Sequence, residues 1–321
     1  MQRSADSLPI AWTLSDGHAG NVRQTHALAA ALGLGTRAWT LDARAPWRWL
    51  APRRLPWAAH AFGPEFVEAL AGPPALALGC GRQAALATRL LRDAGARAVQ
   101  ILDPRIPPRH WDLVIAPAHD RLRGDNVITM TGSLHPVDDA WLAGARRDFP
   151  ALGGLPRPLT TVLVGGASAH AAFDAAGIDA LVAGLASAQR RDGGSVLVTT
   201  SRRTPDAAVA RLRVLLAAVP GLLWTGEGDG GPNPYPGLLG WADRIVCTAD
   251  SVNMLSEACA TEVPVFVAGA DRLGGRPRRF VDSLLASGRV RAFDAALCPF
   301  AVTPLRETAR VAAEVRQRLG L

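Results

Sequence analysis

Ile245-Val246-Cys247-Thr248-Ala249-Asp250-Ser251-Val252-Asn253-Met254-Leu255-Ser256-Glu257 decides the fold class of this chain. Ile245–Cys247 is a short apolar run of the kind that forms a buried parallel strand. From Val252 the apolar residues change to helical spacing, with Val252, Leu255 and Cys259 on one face and Asp250, Asn253 and Glu257 on another. Ser251 is a residue type that caps helix N-termini. A strand that passes through a short loop into a helix is the unit of a parallel α/β sheet, and its loops open where such folds bind ligands. The interval from Ser251 to Glu257 spans about 9 Å along a helix. That reach suits phosphates at the helix start (Asp250, Ser251, Asn253) and a ribose diol on the Glu257 carboxylate. The plainer reading is a capped amphipathic helix carrying a solvated acid.

The same strand–loop–helix alternation extends in both directions. Apolar runs predict strands at Pro9–Leu14, Arg37–Leu41, Ala75–Leu78, Ala98–Leu102, Leu113–Ala116 and Val127–Met130. A second series follows at Thr160–Val164, Ser195–Thr199, Gly221–Trp224, Arg244–Cys247, Val263–Val267 and Val290–Phe293. Between the series, Phe149–Pro158 concentrates prolines and glycines and reads as a linker. At 321 residues the chain exceeds the usual single core. The expectation is therefore two Rossmann-like lobes, residues 1–150 and 151–321, with a cleft between them. The last helix is expected to have Thr303 as its cap and Leu305, Ala309, Ala312, Val315 and Leu319 as one apolar stripe.

Several loops at predicted strand ends carry chemistry. Ser15-Asp16-Gly17-His18-Ala19-Gly20-Asn21 places Asp16 and His18, candidate general bases, in a loop whose Gly17 and Gly20 permit close approach to a ligand. Gly165-Gly166-Ala167-Ser168 opens the second lobe in the same manner and suggests a phosphate cradle. Thr200-Ser201-Arg202-Arg203 could clamp a diphosphate with two guanidiniums. Gly79-Cys80-Gly81-Arg82-Gln83-Ala84 fits GxGxxA, a formal dinucleotide fingerprint, and keeps an NAD-dependent oxidoreductase as the weakest alternative. Trp47, Arg48, Trp49 and Arg53 combine tryptophan with arginine, as at a membrane interface, although a packed loop explains them equally.

Composition limits the rest. All 35 basic residues are arginine, against 28 acids, which favours anions, but no arginine-rich arm or nucleic-acid module accompanies them. No apolar run approaches the roughly 20 residues of a membrane span. Met1–Ser7 lacks the apolar core of a signal peptide, so a cytoplasmic location is expected. Cys80, Cys247, Cys259 and Cys298 have no paired spacing and read as free thiols. Glu227-Gly228-Asp229 sits among glycines without further ligands, so no metal and no cofactor is expected.

These motifs together resemble the bacterial and plant "elongated mitochondria" family associated with mitochondrial fission. The match rests on Ser15-Asp16-Gly17, Pro46-Trp47-Arg48-Trp49-Leu50, Val99–Arg105, His119–Gly124, Thr200–Pro205, Asn233-Pro234-Tyr235 and Thr248–Ser251. Two positions depart from the family pattern: His18-Ala19 differ from its first loop, and Glu262-Val263 replaces the Gly-Lys expected before Pro264. The resemblance implies a GT-B glycosyltransferase-like fold, with a nucleotide-sugar donor bound mainly by the second lobe and the last helix packing back on the first lobe. Arg82, His119 and Asp120 then fall on the acceptor side. The reading is a metal-independent glycosyltransferase in which Asp16 is the base that deprotonates an unknown acceptor, a lipid-linked one among the options, in the cytoplasm or at the inner face of the cytoplasmic membrane. The alternatives are a nucleotide-sugar epimerase and a non-catalytic adaptor recruited to a membrane.

Overall fold

A computed structural model describes residues 10–166 and 174–321. Buried apolar runs build its strands. Leu76–Cys80 and Leu159–Val164 are buried at every position, as strands covered on both faces must be. The two threonines inside the second run have partners: Thr161 Oγ1 donates to the Leu238 carbonyl (2.7 Å), and Thr160 Oγ1 accepts from Arg244 Nε (2.8 Å).

The chain forms two compact units, each around its own sheet. The first comprises the chain up to Pro136 together with Glu307–Leu321. Its strands are β1 (Ile10–Ser15), β2 (Gly35–Thr40), β3 (Leu76–Cys80), β4 (Arg97–Ile101), β5 (Leu113–Pro117) and β6 (Val127–Met130). They pair in parallel in the order β2-β1-β3-β4-β5-β6, with Trp12 opposite Ala77 and Leu78 opposite Val99.

The second unit, Val137–Arg306, contains β7 (Leu159–Val164), β8 (Ser195–Thr200), β9 (Gly221–Trp224), β10 (Arg244–Thr248), β11 (Val265–Ala268) and β12 (Val290–Ala292). These run parallel in the order β12-β11-β10-β7-β8-β9, with Val246 opposite Val162. All twelve predicted strands are present, with ends displaced by no more than two residues. Both orders reverse once, between β1 and β3 and between β7 and β10. Adjacent loops leave toward opposite faces of the sheet there and open a crevice.

The units divide between Pro136 and Val137, ahead of the proline- and glycine-rich segment read as a linker. That segment is packed inside the second unit. Pro150–Gly153 forms a helical turn, Leu152 joins a core with Leu159, Leu197 and Leu238, and Trp241 Nε1 donates to the Phe149 carbonyl (2.9 Å). Asp139–Asp148 belongs there too, since Arg146 Nε donates to the Gly240 carbonyl (2.6 Å).

The last helix is Thr308–Leu319 with Glu307 at its cap position, four residues after the predicted cap Thr303. Val311, Ala312 and Val315 pack in the first unit with Leu28, Ile128 and Leu134. Leu305 instead packs in the second unit, and its N–H reaches the Cys259 carbonyl (2.8 Å), so the predicted stripe is split between two cores.

Candidate functional site

In the second unit the loops after β7, β8 and β10 lock together at the switch point. The Asp250 carboxylate, 2% exposed, accepts from Gly166 N and Thr248 Oγ1 (2.8 and 2.7 Å) and faces Arg203 Nη2 at 3.5 Å. Gly165 N donates to Thr248 Oγ1 (2.8 Å), and Thr204 Oγ1 donates to the Val164 and Gly165 carbonyls. A side chain at Gly165 would overlap the Asp250 carboxylate, and one at Gly166 would overlap the Arg203 carbonyl.

This corrects the phosphate-cradle reading of Gly165-Gly166. Both N–H groups already have partners within the protein, and the glycines are required by close approach of neighbouring loops. Asp250 likewise joins loops and does not face solvent. Ser168 lies outside the described residues. Ser201 braces the β8 loop through Thr204 Oγ1 and the Arg203 N–H, while Arg202 and Arg203 are exposed at its tip.

Ser251 caps the helix Val252–Cys259 by accepting from Met254 N (3.4 Å), and Asn253 is half-buried in its first turn. Glu257 departs from its prediction. It is 1% exposed, and the Tyr235 hydroxyl donates to its carboxylate. The solvated acid of the plainer reading is therefore not what this position provides.

Beside these loops a cavity of about 240 Å³ opens at the ends of β10 and β11 and against the helix Ala175–Asp192. Thr248, Asp250, Asp174, Asp271, Arg272 and Phe293 are among its walls. Asp174 caps that helix by accepting from Gly177 N (2.8 Å) and also receives Arg272 Nη1. Those two contacts, the Gly177 N–H first, hold its carboxyl below the ordinary 3.8.

In the first unit, Asp16 lies at the β1/β3 switch point. It accepts from Asn21 Nδ2 (2.9 Å) and His18 N (3.2 Å), and His18 Nδ1 stands 3.0 Å from Oδ1. Burial alone would raise the Asp16 pKa, but the Asn21 and His18 hydrogen bonds outweigh it and hold it below the ordinary carboxylate value. The imidazole is 74% exposed, so the Nδ1 contact leaves Nε2 toward solvent. Gly17 (φ 77°) makes the turn, with Gly20 inside the helix Ala19–Ala31. Asn21 Oδ1 accepts from Cys80 Sγ (3.4 Å), and a side chain at Gly81 (φ 93°) would stand 2.8 Å from Asn21 Nδ2. The GxGxxA glycines are thus accounted for by packing, because a side chain at Gly79 would likewise come within 2.6 Å of Thr88.

Residues 19–319 match the family described as mitochondrial fission ELM1. The Arabidopsis thaliana mitochondrial fission protein ELM1 is 32% identical over 282 residues, 77% of this chain. The chain belongs to the ELM1 family. It spans 64% of the Arabidopsis protein's length. Protein RP120 of Rickettsia prowazekii is 22% identical across 97% of the chain and 98% of its own length.

Solved structures show the fold of this ELM1-family chain to be that of GT-B glycosyltransferases. MurG of Acinetobacter baumannii superposes with a TM-score of 0.50 at 15% identity, covering 97% of this chain and 92% of its own. Os79 of O. sativa, solved with U2F and trichothecene, gives 0.53 at 14% identity over 96% and 91%. The UDP co-structure of S. aureus MnaA gives 0.52 at 11% identity over 98% of both chains.

The remaining predicted residues of this ELM1-family chain divide between scaffold and surface. Arg82 donates to the Trp49 and Arg48 carbonyls (3.3 and 3.1 Å), tying the tryptophan segment to the loop after β3. His119 and Asp120 form a 3-10 turn after β5, two strands from the switch point. Trp47 is half-buried against the first unit's core, whereas Trp49 and Trp57 are 69% and 78% exposed, with Leu50, Arg48 and Arg53 exposed in the same segment. Among the described residues, no helix is long and apolar enough to cross a membrane. All four thiols are free; burial pushes those of Cys80 and Cys247 well up and that of Cys259 to about 12.

Sequence reasoning missed three things: the Asp174–Arg272 pair, Tyr235 as the partner of Glu257, and Asn21 as the link between two loops. The motif Asn233-Pro234-Tyr235 signalled Tyr235 without revealing what it touches.

Proposed function

We propose that this chain is a metal-independent glycosyltransferase whose second unit binds a nucleoside-diphosphate sugar. The observation that carries the reading is the cavity at the ends of β10 and β11, next to the switch point and to two exposed arginines. The cavity is smaller than the ~300–1,000 Å³ of sites that enclose whole ligands. It takes one part of a nucleotide sugar and leaves the remainder outside. Arg202 and Arg203 would then offset the leaving diphosphate's charge, the task a metal ion performs elsewhere. Neighbours support the donor class: MnaA was solved with UDP, and a Methanocaldococcus jannaschii UDP-GlcNAc 2-epimerase (TM-score 0.52) with UDP-GlcNAc and UDP.

On the first unit, His18 is the better base of the two candidates. Asp16 is held ionised and is a weak base at neutral pH, but its contact with Nδ1 orients the imidazole. His18 Nε2 accepts the acceptor hydroxyl's proton, the oxygen bonds the anomeric carbon, and the bond to the diphosphate breaks with its electrons leaving on phosphate. The exposed Trp49, Leu50 and Trp57 with Arg48 and Arg53 suit an anionic lipid surface, and with it a lipid-linked acceptor.

Calorimetric titration of the full chain with the common nucleoside diphosphates tests the donor reading. Binding is expected, with His18→Ala abolishing transfer while donor affinity is kept. Absence of binding at millimolar nucleotide would contradict it and favour the adaptor. The likeness to the epimerase supports one second reading, and conversion of a nucleotide sugar without any acceptor would establish it.

A further inference from the structure

Resting on the nucleotide-sugar reading, we infer that the cavity at the ends of β10 and β11 receives a hydroxyl-rich ring, the ribose or the transferred sugar, and that the diphosphate stays outside it. Charge decides between the two occupants. Among the described residues lining the cavity, Asp174, Asp250 and Asp271 are carboxylates and Arg272 is the one cation. That cation is already paired with Asp174 on the cavity wall, and Asp250 is engaged by Gly166 N, Thr248 Oγ1 and Arg203. Asp271 adds a further negative charge on an exposed residue. A diphosphate inside would face like charges in a partly desolvated space.

A sugar ring meets the same walls favourably. Its hydroxyls donate to carboxylates in charge-assisted hydrogen bonds and accept from the guanidinium. Its C–H face packs on Ile178, Leu181 and Phe293, which supply the apolar wall. Phe293 is fixed, because its ring lies against Gly184, where a side chain would approach it to 2.8 Å. About 240 Å³ suits one ring and not a whole nucleotide sugar. Arg202 and Arg203 are not among the lining residues.

The test compares wild type and Asp271→Ala by calorimetry with UDP, UDP-GlcNAc and inorganic pyrophosphate. Asp271 is exposed and outside the packed loops, so the variant is expected to fold. Losing a charged acceptor for a hydroxyl should weaken binding on the order of tenfold. Equal weakening of UDP and UDP-GlcNAc identifies the ribose, and weakening of UDP-GlcNAc alone identifies the transferred sugar; pyrophosphate is unchanged in either case. Tighter binding of UDP and pyrophosphate by the variant overturns the inference, because it places the diphosphate against Asp271. Unchanged affinity for all three, with wild-type nucleotide binding intact, also overturns it and leaves the nucleotide reading standing. A wild type that binds none of the three overturns both.

Discussion

Glu257 separates what a residue's spacing can tell from what its neighbours decide. Its position less than two turns into an amphipathic pattern was readable, but its burial depends on Tyr235, twenty-two residues earlier, whose hydroxyl reaches the carboxylate from another helix. Periodicity carries no information about such a partner. Tyr235→Phe removes a donor from a buried carboxylate, with an expected loss of about 1–3 kcal/mol in chemical denaturation. A change inside ±0.5 kcal/mol, the behaviour of a surface position, would contradict the burial. Gly165 and Gly166 teach the same lesson: the glycines were legible as close approach, but the approaching group is Asp250 and not a phosphate.

At the scale of elements, strands were legible because a parallel sheet covered on both faces needs short, uniformly apolar runs, and Leu76–Cys80 or Leu159–Val164 could be little else. Helix ends were less so. Thr303-Pro304 has the chemistry of a start, yet Leu305 is held by the Cys259 carbonyl and helix geometry begins only at Thr308. The link between the helix Ala175–Asp192 and β10 yields a pH prediction. Asp192 accepts from Arg191 (2.6 Å, twice) and Arg244 (2.7 Å), and the Arg191 contacts first, then Arg244, hold its carboxyl at about 2 against an ordinary 3.8. Because the folded pKa is depressed, this contribution is full above about pH 4 and disappears as pH falls toward 2. Asp192→Asn should flatten the acid limb of stability across that window, as followed by denaturation at several pH values. An unaltered slope would show that the pairs contribute nothing.

For the molecule as a whole, two sheets were visible in two strand series, whereas the division at Val137 was not. Proline and glycine content marks turns, and only packing shows that Phe149–Pro158 lies inside a unit. The surface of the first unit gives its own prediction. Vesicles containing anionic lipid should sediment the protein and release it as salt rises. Trp49→Ala with Trp57→Ala should abolish retention, and equal sedimentation with neutral vesicles and with the double variant would rule the patch out.

The central claim, that the second unit binds the donor nucleotide, is tested most directly by hydrogen–deuterium exchange of the full chain with and without UDP. Slower exchange is expected at residues 201–204, 248–254 and 269–273, with the segment 15–21 unaffected by nucleotide alone. Unchanged exchange throughout the second unit at saturating UDP, or protection confined to 15–21, would contradict it.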